Sequence, residues 1–134
     1  MSIKGADIRN IAVIGHSGEG KTSVCEAILF NGKATDRLGK VTEGTTVTDS
    51  DEQEIARKMS ISLGVAYAMW EGVKLNLLDV PGFYDFEGEE NEALRAAGGA
   101  LIVTGATGTL SVGAEKAIDK CLKNKIPMVV FING

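Results

Sequence analysis

Gly15-His16-Ser17-Gly18-Glu19-Gly20-Lys21-Thr22 fits the pattern G-x-x-x-x-G-K-[ST]. Residues of these types at this spacing suit one kind of chemistry, the enclosure of a phosphate chain. Successive backbone N–H groups can face an anion when no side chain intrudes, and Gly15, Gly18 and Gly20 keep the loop open. Lys21 can reach the β- and γ-phosphates of a nucleotide, and the Thr22 hydroxyl can ligate Mg²⁺. The plainer alternative is a Gly-rich turn carrying a surface lysine. Context separates the two, because the motif requires a strand before it and a helix after it. Ile8–Ile14 reads as a strand. Thr22–Asn31 reads as a helix that stops at Asn31-Gly32 and aims its first N–H groups at the same anion.

A second stretch, Asp79-Val80-Pro81-Gly82, follows a predicted strand. An acidic residue at a strand end can hold a metal-bound water, and the Gly82 N–H can meet a γ-phosphate. Alone, D-x-x-G is most often a turn; downstream of a phosphate loop it becomes a second part of the same site.

The elements that must position these residues are legible from periodicity. Ile61–Trp70 alternates with a period of two, as expected of a strand with one face on the core. Glu71-Gly72 is a tight turn and Val73–Leu78 a second strand, so the pair forms an antiparallel hairpin. Glu87–Gly98 reads as a helix with acidic residues near its positive end. Ala100–Val103 is a continuous apolar run, as in a buried parallel strand. Ala114, Ala117, Ile118, Cys121 and Leu122 form one helical stripe, and Met128–Ile132 is a last strand. The order predicts an α/β fold with a mostly parallel sheet, one antiparallel strand and helices on both faces. Lys33–Ala56 is acidic, Thr-rich and poor in apolar residues, so it is expected to be a long mobile loop, either functional or a solvated linker.

With 134 residues, 44% hydrophobic and 24% charged, the chain has the composition of one globular domain with a real core. A formal net charge of −4 gives it no electrostatic footprint for RNA or DNA, so no direct nucleic-acid binding is expected. The N-terminus lacks an apolar signal core and no apolar run approaches a membrane span, so a cytoplasmic location without membrane contact is expected. Cys25 and Cys121 lack metal spacing and read as small buried residues.

Taken together, these residues resemble the GTP-binding domain of translational GTPases, in particular the elongation factor G family and its elongation-factor-G-like branch. The resemblance runs from about Ile8 to Asn133. His16 with Gly20-Lys21-Thr22 resembles the first motif of that family. Asp49, Glu52-Gln53-Glu54 and Arg57 resemble the approach to its first switch, and Trp70 the aromatic that closes the following strand. Asp79, Pro81-Gly82 and Asp85-Phe86 resemble its second switch, and Phe131-Ile132-Asn133 the start of its guanine-recognition motif. The resemblance implies the P-loop GTPase fold, a three-layer α/β/α domain. It implies GTP or GDP held by His16, Ser17, Gly18, Glu19, Gly20, Lys21, Thr22, Ser23, Gly82 and Asn133. Mg²⁺ would be held by Thr22, Ser60 and Asp79, and the ribosome would be the partner of the full-length protein. It also implies that Cys25 and Cys121 lie on opposite sheet faces, too far apart to bridge.

The departures from the family pattern shape the remaining expectations. Ser60 stands where the family has Thr; it keeps the metal-binding hydroxyl. Gly18 stands where the family has Asp, and the neighbouring Glu19 is expected to face solvent. Phe83 stands where the family has its catalytic His, and a phenyl ring can neither donate nor accept a proton. Gly134 stands where the family has Lys after Asn133, and no Asp follows. Residues 1–134 are therefore expected to be a GTP-binding domain incomplete at its C-terminus, holding the first five strands but not the base-recognition end. Little activity and a weak preference for guanine over adenine are expected of it. Met128–Ile132 would be an exposed edge open to self-association. The leading reading is GTP binding, with hydrolysis in the intact protein. The alternatives are a GTP-dependent switch that hydrolyses little because of Phe83, a P-loop kinase or ATPase, and a stable fold without ligand.

Overall fold

The computed structural model describes residues 3–48, 51–57, 60–82 and 87–134. In it, the strands β1 (Ile8–Ile14), β2 (Gly64–Trp70), β3 (Val73–Asp79), β4 (Gly99–Gly105) and β5 (Met128–Asn133) form one sheet in the order β2-β3-β1-β4-β5. β2 and β3 pair antiparallel; every other neighbouring pair is parallel. The helices are α1 (Lys21–Asn31), α2 (Glu52–Arg57), α3 (Glu87–Ala96) and α4 (Val112–Lys123).

The period of two in β1 explains the layering. Val13 packs with Cys25 and Leu29 of α1, Leu77 and Val103 on one face of the sheet. Its neighbours Ala12 and Ile14 pack with Ala93 and Leu94 of α3 and with Ala114, Ala117 and Cys121 of α4 on the other. This is the three-layer α/β/α arrangement expected. Each fully buried large residue, such as Leu29, Leu77 or Ile102, contributes about 1.5–3 kcal/mol over its exposed state. Cys25 and Cys121 are not joined in a disulfide and are buried in different layers.

β2 presents its small side to α1: Ala66 and Ala68 are buried there, whereas Val65 and Tyr67 on the opposite side are 65% and 57% exposed. The Lys74 ammonium lies 4.5 Å from the centre of the Tyr67 ring and gives that exposed side part of its cover. The strand also begins three residues later than the alternation from Ile61 suggests. The N–H groups of Ile61, Ser62 and Leu63 are taken by the Glu54 and Glu89 carboxylates, so they are not available to a ladder. In α4 the stripe closes on Ala114, Ala117 and Cys121 with Ile118 beside them; Leu122, expected within it, is 62% exposed. Ser111 caps this helix by accepting the Ala114 N–H, and Lys120 and Lys123 sit at its negative end.

β5 pairs with β4 alone among the described residues, and Val129, Val130, Phe131 and Ile132 are exposed. No helix among the described residues is long and apolar enough to cross a membrane.

Candidate functional site

β1 ends at Ile14 and α1 begins at Lys21, so the sheet delivers the intervening loop to the C-terminal end of its parallel strands. That end is where open α/β sheets bind ligands. Gly20 caps α1 at φ 87°, a left-handed conformation that strains any residue with a Cβ, and such a Cβ would fall on the Asn133 side chain. No side chain caps the helix there, which leaves its first N–H groups facing the loop. Lys21 is buried, and its Nζ donates to the His16 carbonyl at 2.9 Å, so the ammonium is folded over the loop. The loop is also tied to the second motif, because the Ser17 N–H donates to the Gly82 carbonyl at 3.1 Å. Ser23 and Asn133 share the wall of an apolar groove that runs along α1 past Ala27, Phe131 and Trp70. Asn133 reaches back to the loop, its Nδ2 donating to the Glu19 carbonyl at 3.0 Å.

Three oxygen donors expected at the metal meet. Thr22 Oγ1 donates to Asp79 Oδ2 at 2.8 Å and lies 3.3 Å from Ser60 Oγ. Asp79 is fully buried at the end of β3. Two hydroxyls and one carboxylate make an oxygen-only donor set. It suits Mg²⁺, which takes few protein ligands and keeps waters and phosphate oxygens for the rest. Among the described residues no cluster of three His, Cys, Asp or Glu side chains offers a competing metal site. Phe83, Asp49 and Asp85-Phe86 lie outside the described residues.

Several residues around the site escaped the sequence reading. Thr48 is buried and its hydroxyl donates to the same Asp79 oxygen at 3.0 Å. Glu26, one turn along α1 and 1% exposed, accepts the Val47 N–H at 2.6 Å. Glu54, read in the sequence only as part of the approach to the first switch, is 4% exposed and accepts the N–H groups of Asp51, Ile61 and Ser62. Segment 33–56, expected to be a mobile loop, therefore contains a 3₁₀ turn at Val41–Glu43, the helix α2, and polar anchors at Val47, Thr48 and Glu54. Low apolar content gives no sign of these elements, because carboxylates and not apolar side chains anchor them. One signal was present in the sequence. Asp51-x-x-Glu54 is a capping box: Asp51 Oδ1 accepts the Gln53 N–H while the Asp51 N–H donates to Glu54.

Glu54→Ala is expected to free this segment. Hydrogen bonds to a charged group are worth about 1.5–3 kcal/mol each, and three backbone donors would lose theirs. Hydrogen exchange at Ile61 and Ser62 should accelerate by at least about tenfold, equivalent to about 1.4 kcal/mol of lost protection. Unchanged exchange at both amides would show that something else holds the segment.

Glu19 corrects an expectation. Its side chain turns inward: Oε2 accepts the His16 N–H at 2.9 Å, and Oε1 lies 3.4 Å from both the Gly105 N–H and the Thr104 hydroxyl. Burial pushes its pKa up. Hydrogen bonds from Ser111, His16, Gly105 and Thr104 outweigh that and hold it below the ordinary carboxylate value. A depressed pKa contributes stability that is present above the unfolded-state value and is lost as pH falls through the folded one.

The family model described as the elongation factor Tu GTP binding domain matches residues 6–134. The chain is 42% identical over 125 residues to an elongation factor G-like protein of Mycobacterium tuberculosis, covering 93% of this chain and 18% of that protein. It is 36% identical over 126 residues to elongation factor G of Dehalococcoides mccartyi (strain CBDB1), covering 94% of this chain and 18% of that protein. A crystal structure of a protein from Thermus thermophilus superposes with a TM-score of 0.89 at 39% identity, over 96% of this chain and 19% of that one. The chain thus spans 18% of the length of these two curated relatives.

Proposed function

The chain belongs to the family of the elongation factor Tu GTP-binding domain, and on that footing we propose that it binds GDP and GTP through residues 15–23. We propose further that the intact protein is an elongation-factor-G-like translation GTPase of the cytoplasm that works on the ribosome. The observation that carries this reading is the meeting of Thr22, Ser60 and Asp79 at the start of α1, where the preceding residue, buried Lys21, folds its ammonium over the loop. Mg²⁺ at those oxygens would neutralise charge between the β- and γ-phosphates. Thr22, fixed on α1, would ligate it with either nucleotide. Ser60, delivered by the segment after α2, would do so only with GTP. The Gly82 N–H would meet the γ-phosphate, and loss of that phosphate would release both segments. Asn133, already against the loop, would face the base.

Hydrolysis needs a positioned water, and Phe83 offers that water neither a donor nor an acceptor. Turnover by the intact protein alone is therefore expected to be slow. A positioned acid–base group is typically worth about 10²–10⁴-fold, so Phe83→His should raise turnover within that range. Phosphate release under single-turnover conditions, with and without ribosomes, tests both points. GTP hydrolysis by the intact protein, accelerated by ribosomes, supports the reading. Hydrolysis of ATP in preference to GTP would contradict it. No gain from Phe83→His would mean that another group orients the water.

A further inference from the structure

A carboxylate inside a phosphate loop presents a physical difficulty. A negative charge a few ångströms from a di- or triphosphate repels it, and the repulsion is stronger in a partly dehydrated site. Glu19 sits at the centre of such a loop, one residue before the glycine that caps α1. Its placement resolves the difficulty. Oε2 takes the His16 N–H from within the loop. Oε1 faces the Gly105 N–H and the Thr104 hydroxyl, where β4 ends. The two N–H groups can only donate and the Thr104 hydroxyl can turn to do so, a set that matches an ionised carboxylate. The charge is engaged by the protein's own donors, and the loop backbone is tied at one point to the end of β4.

We infer that Glu19 is a positioning residue: its carboxylate joins the phosphate loop to the end of β4 and so holds the loop open for phosphate before nucleotide arrives. The inference rests on the proposed nucleotide reading and extends it to a residue that the loop pattern leaves free. His16 N–H, Ser17 N–H and Glu19 N–H all donate to protein acceptors. Phosphate is then held by the donors from Gly20 onward and by Lys21.

The sign of one substitution distinguishes positioning from mere proximity. Were Glu19 only a nearby negative charge, Glu19→Gln would remove repulsion and tighten nucleotide binding. As a positioning residue, Glu19→Gln turns an NH₂ group toward the His16 N–H or the Gly105 N–H and breaks at least one contact, so binding weakens. The experiment is titration of fluorescent GDP and ADP into wild type, Glu19→Gln, Glu19→Ala and Thr104→Val, with circular dichroism to check folding. The Glu19 variants are expected to weaken GDP by about tenfold or more, the equivalent of one lost charged hydrogen bond. ADP should weaken by the same factor, because the loop and not the base is affected. Thr104→Val removes one donor at constant shape, and a smaller weakening in the same direction is expected. It carries the test alone should the Glu19 variants not fold. Equal or tighter binding by folded Glu19→Gln, or by Thr104→Val in that case, would overturn the inference while leaving the nucleotide reading intact. Failure of the wild type to bind either nucleotide would overturn both.

Discussion

Lys21→Ala is expected to abolish measurable nucleotide binding while leaving the fold intact. Lys21 is 6% exposed, and its ammonium donates to the His16 carbonyl at 2.9 Å. Truncating a buried charged partner of an anion typically costs about 2–5 kcal/mol, a loss of roughly 30-fold to several thousandfold in affinity. The free protein should be affected in the opposite sense or hardly at all, because holding an ammonium out of water without its phosphate is unfavourable. The expected result is therefore a split: a large loss in calorimetric titration with GDP, and a thermal midpoint equal to or above that of the wild type. A variant that keeps GDP affinity would show that Lys21 does not face the phosphates. A variant that loses affinity only by unfolding would assign the residue to stability.

Gly82→Ala is expected to have the next largest effect. A Cβ at this position would fall on the Lys21 Nζ, 2.6 Å from the Ser17 nitrogen and 2.9 Å from the His16 carbonyl carbon. The lysine tip can move, but the loop backbone cannot move without disturbing the hydrogen bond from Ser17 to Gly82. Overpacking of this kind typically costs about 1–3 kcal/mol, which corresponds to roughly five- to 150-fold in GDP affinity if the displacement falls on the loop. Titration of the folded variant reads it directly. Unchanged affinity would mean that the two motifs are less tightly joined than the distances indicate.

How far the sequence alone reached depends on the kind of signal each element carries. β1, the phosphate loop and α1 were legible because a spacing rule, a strand pattern and a helix stop coincide within one short stretch of chain. Met128–Ile132 was legible as a short apolar run after a proline. The mostly parallel sheet with one antiparallel strand followed from the alternation of elements together with one short hairpin, whereas the order of its strands carries no such signal. Segment 33–56 was not legible, because its anchors are single polar contacts between residues far apart in the chain. Val47 is held by Glu26, and Thr48 by Asp79. No periodicity announces such pairs. The inward turn of Glu19 was hidden for a related reason. Its partners Thr104 and Gly105 lie far along the chain and come within reach only when β4 docks beside β1. β2 misled in its length, because its first residues satisfy their N–H groups on carboxylates.

The central claim is that residues 15–23, Ser60, Asp79 and Gly82 form one nucleotide-phosphate and metal site. Amide chemical shifts followed by NMR during titration with GDP and Mg²⁺ test it most directly, residue by residue. The account predicts saturable one-to-one changes, largest for Gly20, Lys21, Thr22 and Ser23, with smaller ones at Ser60, Asp79 and Gly82 that require Mg²⁺. Shifts that leave these amides unmoved, or that cluster elsewhere on the domain, would contradict it.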